Sequence, residues 1–214
     1  MAHNSIKTYY EYLAKLILEN YLPDEYKNII FSDRPDLRMG YNRGIEVTRA
    51  LYANDIKSAG IFNHIANKHK DSVDKRHLVS LEKMGTDLLI KDDGVIYGFA
   101  PKEGVWINDE ELKREYQKKV LKYIDNPLET SINDLFIYSP MYDWLEEDVV
   151  KGFMEWVSDN AECPFANVFV FEYSYLYAYN TQTKEFRKIP VEETSRERLH
   201  KCCEEAKEFS LKEG

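Results

Sequence analysis

The chain of 214 residues carries a formal net charge of −9 and is 43% hydrophobic, which suits one domain with a sizeable core over residues 1–214. This acidity counts against tight non-specific nucleic-acid binding, which depends on neutralising phosphates, but it leaves room for a local basic surface or a transient substrate. The three cysteines form no CxxC motif and argue against a disulfide framework; with no secretory signal and no apolar run of ~20 residues, we expect a cytoplasmic protein without a membrane partner.

The pattern of apolar residues predicts a mixture of helices and strands. A first helix over residues 5–21 is followed by strand-like runs at 28–31 and 44–48, which flank turn-forming residues and predict an antiparallel hairpin. The remaining predicted elements are helices over 55–68 and 76–84, a hairpin of 88–90 and 95–99, a helix over 109–123, a strand over 135–138, a helix over 147–158, strands over 168–172, 175–179 and 186–189, and a helix over 195–211. This order predicts an α/β or α+β fold in which helices flank a mixed central sheet.

Two carboxylates near the predicted hairpin, Asp36 and Glu46, form the most informative pattern in the chain. Because side chains alternate across a strand, Glu46 and Thr48 share one face, while Ile45 and Val47 share the other. Asp36 lies on the preceding arm of the hairpin and can approach Glu46. Two carboxylates and a backbone carbonyl such as that of Val47 suit Mg²⁺, which keeps several of its waters. A shared ion requires the two carboxylates to lie within about 7 Å of each other.

The residues Pro35-Asp36 followed by Glu46-Val47-Thr48 on a strand, after an N-terminal helix, resemble the motif of the PD-(D/E)xK nuclease superfamily. The resemblance covers roughly residues 5–70, and the order of the later elements is compatible with it. It implies a restriction-endonuclease-like core over roughly residues 5–175, with a C-terminal hairpin and helix added over 175–214. It also implies a nucleic-acid substrate and metal-dependent hydrolysis of phosphodiester bonds.

Carried over by position, the resemblance makes Asp36 and Glu46 ligands of Mg²⁺ or Mn²⁺. It places Thr48 where the family usually has the lysine that orients or activates the attacking water. A threonine hydroxyl can hydrogen-bond a water or a phosphate oxygen, but it cannot supply the charge of an ammonium group. Arg38 or Arg43 on the hairpin could supply that charge. Metal binding is therefore better supported by the sequence than catalysis.

Two other interpretations of the same residues stay open. One is a catalytically inactive, acidic protein-binding module on the same fold, an inhibitor or immunity-type partner, which suits the net charge, the missing lysine and the tyrosine-rich strand at 173–179. We favour packing on the sheet for that tyrosine row. The other makes Pro35-Asp36 only a turn and Glu46 an exposed residue paired with Arg43 or Arg49. In a regular strand, however, Arg49 faces away from Glu46.

No other sequence motif predicts a different activity. The chain has no Gly-rich phosphate cradle, no HExxH zinc motif and no nucleophile elbow. A basic run lies on the predicted helix over 109–123, and because Glu111 and Glu115 interrupt it, we interpret it as a solvated helix face. The members of this run are Lys113, Arg114, Lys118, Lys119 and Lys122.

Overall fold

The computed structural model describes residues 5–50, 53–101, 109–139, 146–160, 162–172 and 174–213. These residues fall into two compact units. The larger unit contains the described residues within 1–50, 108–141 and 145–214, and the smaller unit contains those within 51–107. The single domain over residues 1–214 stays a prediction.

The described residues form helices and strands at nearly all of the predicted positions. In chain order they are α1 (Ser5–Tyr21), β1 (Ile30–Phe31), β2 (Leu37–Met39), β3 (Arg43–Arg49), α2 (Ala53–Ile65), a 3-10 helix (Lys70–Ser72), α3 (Lys75–Lys83), β4 (Thr86–Ile90), β5 (Ile96–Pro101), α4 (Glu110–Asp125), β6 (Ile132–Tyr138), α5 (Glu147–Asp159), β7 (Asn167–Phe171), β8 (Tyr175–Asn180), β9 (Phe186–Pro190) and α6 (Glu192–Glu213). None of the described helices combines the length and the apolar character needed to cross a membrane.

The described strands of the larger unit form one seven-stranded sheet in the order β1-β2-β3-β6-β7-β8-β9. The central strands β3, β6 and β7 run parallel, and the outer pairings are antiparallel. The mixed sheet flanked by helices is therefore confirmed. The predicted pairing of 28–31 with 44–48 is wrong, because β2 lies between these two strands and pairs with both. A strand of three residues is too short to produce a recognisable alternation in the sequence.

Helices cover both faces of the sheet around β3, where Gly44 to Val47 are all buried. On one face, Arg49 lies over the Tyr10 ring of α1 at 4.8 Å from its centroid, which confirms that Arg49 faces away from Glu46. On the other face, α4 lies against β3, and Thr48 Oγ1 donates to Glu115 Oε2 at 3.4 Å. Burial on both faces is typical of parallel strands enclosed by helices.

The smaller unit pairs the antiparallel strands β4 and β5 with helices α2 and α3. Its core is a cluster of four buried apolar side chains: Ile65, Val73, Leu81 and Ile96. The hairpin predicted around Asp92-Asp93-Gly94 is confirmed. Gly94 has a φ of +83°, a backbone conformation that favours glycine.

Candidate metal and catalytic site

The pairing of β2 with β3 explains why Asp36 and Glu46 come together. Leu37 lies opposite Ile45 in the antiparallel register. Continuing that register by one residue places Asp36 opposite Glu46. Directly opposed residues of an antiparallel pair share a face of the sheet, with Cβ atoms about 4.5–5.5 Å apart. The sequence prediction that the two carboxylates approach each other therefore follows from the observed hairpin.

The turn before β2 is held against β3 by a close backbone approach. A Cβ atom at Gly44 would lie 2.5 Å from Pro35 Cγ and 2.6 Å from Thr130 Oγ1, so only glycine lets the proline ring cross β3 at this point. Ser32 closes the same turn, because its N–H donates to the Asp36 carbonyl at 3.1 Å and its Oγ donates to the Pro35 carbonyl at 2.8 Å. These contacts fix the backbone that presents Asp36.

Both carboxylates are buried, with Asp36 only 2% and Glu46 only 4% exposed. Asp36 Oδ2 accepts from the Val47 N–H at 2.8 Å and from Lys119 Nζ at 3.3 Å. Glu46 Oε2 accepts from the same Lys119 Nζ at 2.5 Å and from Lys122 Nζ at 3.4 Å. Since one nitrogen contacts both carboxylates, their oxygens lie closer together than the ~7 Å limit for a shared ion.

The second oxygen of Glu46, Oε1, is buried, and none of the described residues donates a hydrogen bond to it. A buried carboxylate oxygen without a donor is costly, because it has lost its water without gaining a partner. A divalent cation is a suitable partner, since Mg²⁺ binds carboxylate oxygens and keeps several waters. The donor set of Asp36 and Glu46 therefore fits such an ion.

Lys119, on α4, supplies the positive charge that the motif lacks at Thr48. Its side chain is 14% exposed and lies between the two carboxylates. The interpretation of the basic run as a solvated face is wrong for Lys119, although Lys118 is 61% and Lys122 53% exposed. One sequence signal pointed to this position: Lys119 follows the buried Tyr116 by three residues, which places it near the buried side of the helix.

The arginines proposed from the sequence lie elsewhere. Arg43 turns to the opposite face of β3 and donates from Nε to Asp134 Oδ2 at 2.5 Å. Burial lowers the pKa of Arg43, but the hydrogen bond and charge of Asp134 outweigh burial and raise it. Arg38 donates to the Arg34 carbonyl at 2.9 Å and pairs with the exposed Glu129 at 3.8 Å. Neither arginine replaces the lysine, and the expectation of an exposed Glu46 paired with Arg43 or Arg49 is also wrong.

Thr48 lies on the same face of β3 as Glu46 but contacts a different residue of α4. Its hydroxyl donates to Glu115. Glu115 Oε1 in turn accepts from Lys118 at 2.6 Å and from Arg114 at 3.2 Å. Thr48 is therefore fixed beside the carboxylate pair through α4, and its role with the attacking water stays a prediction.

A small cleft opens beside Glu46, with a cavity volume of about 10 Å³, which is the space of about one water molecule. The described residues that line it are Arg34, Glu46, Lys119, Lys122, Tyr123, Leu128 and Phe165. Three of these side chains are cationic and one is acidic. In a chain of net charge −9, this local excess of positive charge favours an anion at the opening of the cleft.

Within the described residues, no group of three or more His, Cys, Asp and Glu side chains is arranged to hold a metal ion. No protein-family model, no curated protein and no solved structure matches the chain.

Proposed function

We propose that the chain is a metal-dependent nuclease-like enzyme that hydrolyses phosphodiester bonds, a divergent member of the PD-(D/E)xK superfamily. The observation that carries this proposal is the Lys119 ammonium group, which contacts Asp36 at 3.3 Å and Glu46 at 2.5 Å. Two carboxylates and one lysine thus lie together, the residue types that the motif combines, but this lysine comes from α4 and not from β3.

The fold is compatible with the proposal. A first helix precedes the strands that carry Asp36 and Glu46, and helices cover both faces of a mixed sheet, as the resemblance to a restriction-endonuclease-like core implies. The α4 helix packs on the face of β3 that carries Glu46. A lysine that reaches the carboxylates from this helix can put its positive charge where a lysine two residues after the glutamate would put it.

The roles of the residues follow from their contacts. Asp36 and Glu46 would hold Mg²⁺ or Mn²⁺, with Oε1 of Glu46 as one ligand. When bound, such an ion polarises a phosphate and lowers the pKa of a coordinated water. Lys119 would exchange its contacts with the carboxylates for a contact with the attacking water or a phosphate oxygen, where its charge offsets the negative charge that develops. Thr48 would hydrogen-bond the same water more weakly.

The inactive protein-binding module stays a prediction, but two of its three supports are weaker. Lys119 supplies the lysine that the motif lacks. Tyr177 and Tyr179 are buried and Tyr175 is half-buried, which favours packing over an exposed binding row; Tyr173 lies outside the described residues. The net charge of −9 is the support that is unchanged.

Cleavage of plasmid DNA and of structured RNA with Mg²⁺, Mn²⁺ or EDTA tests the proposal. We expect cleavage only with metal. Glu46→Gln should reduce turnover by about 100-fold or more, because loss of a metal ligand costs at least as much as loss of an outer hydrogen bond to a ligand. The matched control is Glu129→Gln, since this exposed carboxylate pairs only loosely with Arg38. Cleavage that survives EDTA, or that is equal in both variants, contradicts the proposal.

A further inference from the structure

The cleft beside Glu46 carries more positive charge than the carboxylate pair needs. Lys119 alone contacts both Asp36 and Glu46, whereas Lys122 reaches Glu46 Oε2 at only 3.4 Å. The Lys122 side chain is more than half exposed. Its contact with Glu46 is long for a charge-assisted hydrogen bond, so Lys122 can exchange this contact for another anion.

Arg34 lines the same cleft, and its guanidinium group has an unused donor. Its Nε is buried, and none of the described residues accepts a hydrogen bond from it. The Arg34 backbone carbonyl accepts from Arg38 Nη2 at 2.9 Å, which fixes the segment that carries the side chain. A buried guanidinium N–H without an acceptor is costly. A phosphate would satisfy it, because the planar fork of arginine matches two phosphate oxygens.

The positions of the two side chains favour a ligand that continues past the carboxylate pair. Lys122 follows Lys119 by three residues on α4, so the two ammonium groups leave the same side of the helix. Arg34 enters the cleft from the turn before β2, two residues before Asp36. The cleft therefore has cations from two separate elements beside one carboxylate site.

We propose that Arg34 and Lys122 form a phosphate-binding subsite that holds a backbone phosphate of the nucleic-acid substrate next to Asp36 and Glu46. This inference rests on the proposed function, because it takes the substrate to be a phosphodiester chain. Phosphate contacts position a nucleic acid without reading its sequence. The subsite thus places the substrate over the opening of the cleft and contributes no preference for particular bases.

Binding measured without metal separates this subsite from catalysis. Fluorescence anisotropy with a labelled 20-nucleotide DNA strand, and with the RNA of the same sequence, is measured in EDTA for the full chain. We expect Arg34→Gln and Lys122→Gln each to weaken binding by about 10-fold, the effect of losing one charge-assisted hydrogen bond. Each variant should also reduce the slope of log affinity against log salt by about 1.

Lys118→Gln is the matched control, because this side chain lies on the same helix but pairs with Glu115. It should leave both the affinity and the salt slope close to those of the unmodified chain. Arg34→Lys, which keeps the charge but loses the fork, should bind with intermediate affinity. Circular dichroism of each variant checks its folding, and Lys122→Gln keeps the test decisive if Arg34→Gln does not fold.

The outcomes separate the two proposals. Selective weakening in the Arg34 and Lys122 variants supports the subsite, even if no condition yields cleavage and the proposed function fails. Metal-dependent cleavage with Arg34 and Lys122 variants that bind as well as Lys118→Gln overturns the subsite and leaves the proposed function standing. Absence of any oligonucleotide binding by the unmodified chain at low salt also overturns the subsite.

Discussion

The buried carboxylates of the larger unit include Asp134 and the pair of Asp36 and Glu46, which lie on opposite faces of its sheet and differ in their hydrogen bonds. Asp134 on β6 lies beside Ile45 of β3, on the face away from Glu46. Its Oδ1 accepts from the backbone N–H and the side-chain amide of Asn167 at 3.1 and 2.9 Å. Its Oδ2 accepts from Tyr26 at 2.8 Å and from Arg43 at 2.5 Å. Every oxygen of Asp134 thus has donors from fixed groups.

Tyr26 takes part in the same hydrogen-bond network as Asp134. Burial and the neighbouring Asp134 carboxylate raise the pKa of Tyr26 above its usual range, so the phenol keeps the proton that it donates. Arg43 Nη2 also donates to the Tyr26 hydroxyl at 2.7 Å and lies over its ring at 4.5 Å from the centroid. A network with every member satisfied rigidifies a core and has no ligand to gain.

The Asp36–Glu46 pair has the opposite character. Its charge partner is a flexible lysine, and Glu46 Oε1 has no donor among the described residues. A lysine ammonium is a point charge on a mobile stem, whereas an arginine fork locks its partner in one geometry. The comparison teaches that burial alone does not mark a functional carboxylate. The incomplete and exchangeable set of partners is what supports the role proposed for Asp36 and Glu46.

The largest expected effect concerns the Asp134 site, in which every hydrogen-bonding group has a partner. Asp134→Asn should lower the free energy of unfolding by about 3–5 kcal/mol, because it leaves Arg43 without its buried charge partner. Glu46→Gln should change it by less than about 1 kcal/mol, since Lys119 keeps Asp36 as a partner and Glu46 loses an unsatisfied charged oxygen. Urea unfolding of both variants measures the difference, and equal losses would remove the distinction between the two sites.

Lys119→Met tests the role of the lysine at the Asp36–Glu46 pair. We expect turnover to fall by about 100-fold, the typical cost of one lost group that stabilises developing charge. Metal affinity should rise, because the ammonium group no longer competes with the ion for Asp36 and Glu46. Single-turnover kinetics and a Mn²⁺ titration check the two effects. Full turnover in this variant would contradict the assignment of Lys119.

Thr48→Val should have the smallest effect. Loss of the proposed hydrogen bond from the Thr48 hydroxyl to the attacking water, worth about 1 kcal/mol, lowers turnover by about 5-fold. Metal affinity should stay unchanged, since the closest described partner of the Thr48 hydroxyl is Glu115 and not the carboxylate pair. The same kinetic assay measures this effect. A loss of turnover as large as that of Lys119→Met would assign the principal catalytic role to Thr48 and not to Lys119.

The sequence predicted the positions of most helices and strands, the mixed sheet and the approach of Asp36 to Glu46. Helical and strand periodicity located the elements, and alternation with a turn brought Asp36 to Glu46. The sequence interpretation kept Arg43 as a charge donor, because the predicted strand began at residue 44. In the structure β3 begins at Arg43, so Arg43 shares the face of Ile45. Lys119 could not be assigned, because its contact depends on how α4 packs over β3 across a long separation in the chain.

Calorimetric titration with Mg²⁺ and Mn²⁺ decides whether the carboxylate pair is a metal site, independently of any substrate. For the unmodified chain we expect about one ion per chain, bound through two carboxylates. Asp36→Asn and Glu46→Gln should each weaken binding by about 10-fold or more, whereas Glu129→Gln should bind as the unmodified chain does. If the unmodified chain binds neither ion, or if all three variants bind equally well, Asp36 and Glu46 are not metal ligands.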